Sequence, residues 1–420
     1  MGTGKKWDVI VIGGGPAGMM AAGRAAECGA RVLLIEKNES LGKKLLISGG
    51  GRCNLTNAEF DTRKLLSHYK EASKFLHSPF SQFGVQDTIS FFENRGMGIK
   101  IEAGKRAFPK SDQSESVLHV LQEYMKQHGV TVRVHTPIKH IIVKHNILTS
   151  VVCENGDEEK ADSFIFATGG TSRPDTGSTG EAFTWMKELG HHIVPPDASL
   201  VPIVIEDTWV KNLQGITLEN IGLHVFQKGK KQFSKKGRIL FTHFGISGPT
   251  VINMSKDIRD LLPYGPVTLS LDLYPMVGHD AMNERVLAIL DKDKNKKLKN
   301  VISDLLPVSA MIKTLFSLTE INPESFCHSV RRDERMALIA LLKHLPMTVK
   351  GILGAEKAIV TSGGVPLNEI DTKTMRSTMC NNLYLTGDML DIDRPSGGYS
   401  LQLCWTSGFV AGTAASQKEK

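Results

Sequence analysis

The chain has only six cysteines in 420 residues, and no two of them form a CxxC pair. Cys28, Cys53, Cys153, Cys327, Cys380 and Cys404 are scattered, which argues against a disulfide framework, a zinc cluster and adjacent-dithiol redox chemistry. No uninterrupted apolar run approaches membrane-spanning length, so no membrane partner is expected. There is no repeat of solenoid or propeller period. Gly2 invites a myristoylation reading, but position 6 is Lys rather than Ser or Thr. The opening residues lead directly into a strand pattern, which argues against a secretory signal and gives a cytoplasmic expectation. Nor is there any disorder-like bias: 41% of the residues are hydrophobic and 23% charged. That length calls for two or three domains.

What is present begins at Trp7-Asp8-Val9-Ile10-Val11-Ile12, an apolar strand running into Gly13-Gly14-Gly15-Pro16-Ala17-Gly18. This is a dinucleotide fingerprint in its full context. Gly13 permits a tight turn, Gly15 lets the backbone approach a pyrophosphate, and Gly18 lets a helix press onto the strand. The following helix keeps Ala22 and Ala26 on its packing face. A second strand, Arg31 to Ile35, ends at Glu36, whose carboxylate is placed for an adenosine ribose and disfavours a 2′-phosphate. No second fingerprint appears: the glycines between Gly169 and Gly180 have the wrong spacing and no strand-plus-acid behind them. A reduced nicotinamide, NAD(P)H, would therefore visit only transiently or use a site without the motif.

Further along, Gly42 to Asn57 form a glycine-rich loop. Apolar spacing predicts helices over 62–76 and 85–94, and an amphipathic helix capped by Ser111 or Asp112 and ending at Gly129. Strands are expected at 130–134, 138–143 and 148–153 and just before Asp162, with Asn155-Gly156 as a type I′ hairpin turn. Another strand, Ser163 to Ala167, runs into Thr168-Gly169-Gly170. From His191 the texture changes to short strands (200–205, 216–226, 238–241, 267–273), then lysine-rich helical segments from His279 to His344. Strand material resumes at Lys357 to Val360 and Leu383 to Leu385. The expected fold class is α/β: a Rossmann-like nucleotide domain (1–190 and 351–420) interrupted by an inserted β-plus-α domain, 191–350, β-rich over 195–275 and helical over 279–345.

The net charge of +7 is unevenly spread. Lys228, Lys230, Lys231, Lys235, Lys236 and Arg238 crowd one short stretch with Phe233 as its single aromatic. A solvated hairpin accounts for this run, and a nucleic-acid or anionic-ligand site is the alternative.

Four segments together resemble one family: Gly13–Gly18 with Glu36; Leu41 to Asn54, including Ser48-Gly49-Gly50-Gly51-Arg52-Cys53-Asn54; Phe241-Thr242-His243-Phe244-Gly245-Ile246-Ser247-Gly248-Pro249; and Thr386-Gly387-Asp388 through Gly397-Gly398-Tyr399. The combination resembles the BaiN-like flavoproteins, also labelled aminoacetone oxidase family FAD-binding enzymes. It implies a two-dinucleotide-binding-domain flavoprotein fold, FAD as cofactor, and an inserted domain over the isoalloxazine ring. A further likeness, of Ala167 to Gly170 with Gly177 to Phe183, is to fumarate reductase-type flavoproteins. Their substrate-clamping arginine and histidine pattern is not evident here.

The expected FAD contacts follow. Gly13, Gly15, Pro16, Ala17 and Gly18 take the pyrophosphate at a helix N-terminus, with Glu36 and Lys37 on the adenosine side. Lys44 and the loop residues Ser48, Gly49, Gly50, Arg52 and Asn54 supply close backbone approach and donors. Ile138 offers backbone contacts to adenine, or is plain strand packing. Ala167, Thr168 and Gly169 end a buried strand at its ligand-binding edge. Gly387 and Asp388 do likewise, and Asp388 resembles the family's acid that grips ribityl hydroxyls. Gly398, Tyr399 and Leu401 open a helix whose dipole would stabilise charge at the flavin N1–O2 edge. Catalytic assignments are open: His243, Tyr399 and Cys53 are candidates, each with a structural role as the alternative, and no metal site is expected.

These features make an FAD-dependent oxidoreductase of a small organic substrate the leading expectation, with NAD(P)H as reductant and hydride transfer through flavin N5. An RNA-associated flavoprotein using residues 228–238, and a flavin redox sensor without turnover, are the alternatives. A nucleic-acid partner is not the leading expectation, and the oligomeric state is left open.

Overall fold

Strands buried on both faces need continuous apolar runs rather than alternation, and Val9–Ile12 and Val32–Ile35 are such runs, every residue 5% exposed or less. The computed structural model describes residues 6–354, 356, 358 and 360–417. In it Trp7–Ile12 lies parallel between Val32–Ile35 and Glu158–Phe166. Thr131–Arg133 adds on one side and Leu383–Leu385 on the other, both parallel. Glu158–Phe166 also carries an antiparallel extension, Ile147–Cys153 followed by Ile138–Lys144. The sheet thus has seven strands. Helices Pro16–Glu27 and Tyr399–Ala415 pack together through glycines: a Cβ on Gly408 or Gly412 would stand 2.5 or 2.4 Å from a carbonyl oxygen of the first helix.

The chain divides into two compact units, 1–199 with 355–420, and 200–354. The expected boundary at 191 falls inside the first unit, and that at 350 inside a strand of the second. Val194–Ser199 pairs antiparallel with Val360–Gly364 in the first unit, and buried His191 is fixed there by Glu369 at 2.7 Å and Ser377 at 2.8 Å. Residue 350 lies within Leu345–Ile352, the strand that closes a six-stranded barrel in the second unit. Its other strands are Ile203–Ile205, Thr217–Gln227, Lys230–Phe241, Gly245–Ser247 and Val267–Asp272, and helices such as His279–Lys292 and Arg332–Lys343 complete the unit. Closure was not expected because its last strand carries Pro346 and finds its partners more than seventy residues away.

Smaller differences have local causes. The helix expected over 62–76 is broken at Lys70, whose φ is +49°, into Thr62–Ser67 and Ser73–Gln82. The helix expected after Ser111 begins at Ser114 without a side-chain cap, because Asp112 is held by Arg52 and Lys100 instead. At Asn155-Gly156 only the glycine has positive φ, +89°, and the Cys153 amide reaches the Asp157 carbonyl at 2.8 Å. That is a three-residue bulged loop, not type I′. The two-residue turn with both φ positive is Lys228-Gly229, +49° and +72°, between Gln227 and Lys230. Lys357 and Ile359 of the strand expected at 357–360, and Gly2, lie outside the described residues. Among the described residues no helix is long and apolar enough to cross a membrane.

Candidate functional site

A cavity with about 1180 Å³ of empty space, its open mouth included, lies in the first unit at the carboxyl ends of the parallel strands. That is where ligands bind in such sheets. The fingerprint builds one wall. Gly13 turns the chain at φ +103°, and a Cβ there would meet the Ala167 carbonyl oxygen at 2.5 Å. A Cβ on Gly18 would stand 1.9 Å from the Gly13 carbonyl oxygen, so Gly18 lets the helix sit on the turn and does not itself line the cavity. Gly15 faces open space, with nothing within 4 Å of its would-be Cβ, and Pro16 opens the helix. A dinucleotide backbone needs such a bare approach at a helix N-terminus.

Glu36 is 7% exposed and largely committed to the protein. Its Oε2 accepts from the Gly14 amide at 2.6 Å, and its Oε1 accepts from the Asn38 amide and side chain at 2.8 and 2.7 Å. Each carboxylate oxygen has two lone pairs, so one acceptor position on Oε2 remains for a ribose hydroxyl. Lys37 lines the same end, bonded to Thr179 at 2.9 Å and paired with Glu181 at 2.7 Å. Ile138 and Thr136 complete it.

At the other end Asp388 lines the cavity, with Gly387, Leu401 and Cys404. Burial alone would raise the Asp388 carboxyl, but the charges of Arg394 and Lys44 outweigh it and hold the group below its ordinary value. Arg394, its side chain fully buried, bonds Asp388, Ser400 and the Ile392 carbonyl. Lys44 stands 3.6 Å from Asp388 and donates to the Ser172 carbonyl and hydroxyl at 3.0 and 2.8 Å. An anionic acceptor is therefore held in place at the cavity wall. Ser48, Ala167, Thr168 and Gly169 line the stretch between the two ends.

Several expected contacts do not reach the cavity. Arg52 lies across Phe108 at 4.1 Å and is clamped by Glu102 and Asp112, hydrogen bonds that push its guanidinium further up. Gly49 and Gly50 take left-handed conformations, φ +58° and +70°, in an exposed turn. The Asn54 amide joins the Thr56 carbonyl at 3.2 Å to the Gly398 amide at 3.1 Å. A Cβ on Gly398 would stand 2.2 Å from the Thr56 carbonyl carbon, so this glycine serves backbone packing. The loop thus braces the site from behind.

The catalytic candidates separate as well. Cys53 is fully buried, and desolvation pushes its thiol up to about 12, which leaves no thiolate at neutral pH. Cys404 does line the cavity, but burial pushes its thiol up to about 12 too. The Tyr399 ring packs against His68 at 4.9 Å and Tyr69 at 5.8 Å outside the lining, its hydroxyl pushed up to about 12 by burial. His243 belongs to the other unit, exposed and set edge-on to Phe244 at 4.9 Å.

Sequence reasoning missed Asn38, Trp185 and the buried Arg394. Gly177, Ser178 and Glu181 also line the cavity, and their signal was legible: they lie in the segment that resembles fumarate reductase-type flavoproteins. Among the described residues no group of three or more His, Cys, Asp or Glu could hold a metal.

The parallel sheet, the glycine turn at a helix start and the acid after the second strand together define a Rossmann-like dinucleotide-binding protein. The comparisons agree. Residues 7–414 match the HI0933-like protein Rossmann domain. The chain belongs to this family, an FAD-binding oxidoreductase family. It is 29% identical over 416 residues to a 3-dehydro-bile acid delta(4,6)-reductase of Clostridium scindens, covering 97% of this chain and 98% of the relative. It is 28% identical over 407 residues to a ribosomal RNA dihydrouridine synthase of Escherichia coli, covering 97% of each. Among solved structures, a 3-ketosteroid delta1-dehydrogenase from Sterolibacterium denitrificans shares the fold at TM-score 0.57 and 15% identity, over 98% of this chain and 100% of that one.

Proposed function

We propose that this chain is an FAD-dependent reductase of carbon–carbon double bonds conjugated to a carbonyl, with NADH or NADPH as the reductant. The observation that carries the reading is chemical. Two relatives matched over nearly their full length are named for a steroid delta(4,6)-reductase and for a dihydrouridine synthase. A dienone and a uracil ring both present a C=C polarised by a carbonyl; reduction adds a hydride at the β-carbon, or at the vinylogous δ-carbon for the far bond of the dienone, and a proton at the neighbouring carbon nearer the carbonyl.

The residues present fit the cofactor: the bare Gly15 approach takes a pyrophosphate, Glu36 keeps one lone pair for a ribose, and Asp388 is anionic beside the cavity. FAD, when bound, supplies a carrier that receives hydride from a reduced nicotinamide and gives it up to the electron-poor alkene. Glu36 would hold the adenosine end and the Gly13–Gly15 turn the pyrophosphate. Asp388, kept ionised by Arg394 and Lys44, would accept from ribityl hydroxyls. The helix Tyr399–Ala415 brings Ser400 and Leu401 of its first turn to the cavity, and its positive end favours negative charge there. Cys53 and Cys404 remain thiols, so no dithiol relay takes part.

Of the two acceptor classes, the run of lysines on the strand Lys230–Phe241 favours the uracil of an RNA. The test is anaerobic: protein supplied with FAD is reduced with NADPH or NADH, then mixed with a 3-keto-4,6-diene steroid or an rRNA fragment. Reoxidation of the flavin with gain of two hydrogens by either acceptor supports the reading. A flavin that neither acceptor reoxidises overturns it.

A further inference from the structure

The second unit carries a face with no role in the cavity. In a sheet, directly paired residues project to the same side, and alternate residues to opposite sides. Ile221, Leu223 and Val225 of Thr217–Gln227 are fully buried in the barrel core, so Gly222, His224 and Phe226 face outward. Their partners on Lys230–Phe241 are Lys236, Ser234 and Lys231. On the next strand Ser270 pairs with His224. His344 approaches Ser270 at 3.4 Å, and its ring stacks on His279 at 5.3 Å between centroids and 25° between planes. Both imidazoles are exposed.

The charge on this face is unbalanced. Asp272 is consumed by Lys343 at 2.7 Å, and Arg238 has Glu219 at 3.6 Å. Among the described residues Lys228, Lys230 and Lys231 make no ion pair. Lys236 reaches only Met276, which is 85% exposed. Burial first, and then Lys231, push the His224 imidazole below its ordinary value; burial, with His279 and the same lysine, does so for His344. Neutral rings beside fixed cations result. At the hairpin tip Tyr264 is 71% exposed, next to Gly265, whose would-be Cβ faces Lys228 at 3.7 Å.

Cations beside a half-buried His224 and the exposed His279 and His344 rings suit a single-stranded nucleic acid, phosphates on the lysines and bases on the exposed rings. We propose that this outer barrel face, Lys231 and Lys236 with His224 and the stacked His279–His344 pair, is where an RNA strand docks. The proposal rests on the reading that a uracil in RNA is the acceptor.

The test titrates the full-length flavin-loaded protein with a fluorescein-labelled, mixed-sequence single-stranded RNA of about 20 nucleotides, at several salt concentrations. Lys231→Gln/Lys236→Gln weakens binding about 10-fold and flattens the log–log salt slope by roughly 1.4, about 0.7 for each phosphate that is no longer neutralised. His279→Ala/His344→Ala weakens binding and leaves the slope unchanged. Neither pair alters flavin absorbance or its reduction by NADPH. Wild-type protein that does not bind the RNA, variants that bind it as tightly as wild type, or tighter binding to phosphatidylglycerol vesicles overturns the docking face. Reoxidation of the NADPH-reduced flavin by the RNA is read in the same preparations: variants that bind RNA as tightly as wild type while the RNA still reoxidises the flavin overturn the face alone, and RNA that binds but never reoxidises the flavin overturns the reductase reading alone.

Discussion

The two units of this protein use buried charge in opposite ways. In the first, Asp388 is held ionised by Arg394 and Lys44 at the wall of an open cavity, with its carboxylate placed to meet a ligand. In the second, Lys343 is 5% exposed and fully spent: it pairs with Asp272 and donates to the carbonyls of Tyr274 and Val277, each at 2.7 Å. The first arrangement keeps acceptor capacity in reserve. The second has used all three donors of its ammonium, and it ties the helix Arg332–Lys343 to the barrel strand Val267–Asp272. A charged cluster near a cavity therefore reads as functional only when its hydrogen-bonding capacity is incompletely used.

The sharpest way to break that contrast is to remove the spent cation. Lys343→Met leaves Asp272 buried and unpaired, which should cost about 3–5 kcal/mol. Denaturant unfolding followed by a probe in the second unit should show the loss, while flavin bound by the folded fraction keeps its spectrum. Next comes Gly18→Ala. Its methyl group would enter the Gly13 carbonyl, and overpacking of about 3 kcal/mol should weaken FAD about 100-fold in equilibrium dialysis, although position 18 does not line the cavity.

Asp388→Asn should weaken FAD by about 10-fold, the worth of one charge-assisted hydrogen bond. It also changes acid stability in a defined direction. Asp388 is held below its ordinary 3.8, so its contribution is complete above about pH 5 and is lost as the pH falls through its lowered value. Wild type should lose stability over that range, and the variant should lose less. The smallest effect belongs to Arg52→Ala: its clamp on Glu102 and Asp112 is solvent-exposed, so FAD affinity should shift by under about 1 kcal/mol. A large shift in the same dialysis assay would return Arg52 to the cofactor site.

Local signals in the sequence carried much of this. The fingerprint, Glu36 and the strand ends at Thr168 and Gly387 were legible because each is a short stretch whose chemistry is fixed by immediate neighbours. Arg52 and Asn54 were misjudged because donors in a glycine-rich loop look alike whether they face a ligand or a neighbouring strand. Phe108, Glu102 and Asp112, which claim Arg52, lie fifty or more residues away. Arg394 was invisible for the complementary reason: only the folded chain shows an arginine with no exposed side-chain surface. Barrel closure by Leu345–Ile352 is likewise a non-local pairing. The turn types exchanged because Asn-Gly favours type I′ without enforcing it, while Lys228 adopts the left-handed conformation inside a long, well-paired hairpin.

The central claim, that the first unit holds FAD for reduction of a conjugated double bond, is tested most directly by anaerobic stopped-flow of the FAD-loaded protein. NADPH or NADH should bleach the flavin band, and an rRNA fragment or a steroid dienone should restore it as the acceptor gains two hydrogens. Protein that retains no flavin after FAD is supplied, or a reduced flavin that only oxygen reoxidises, would contradict it.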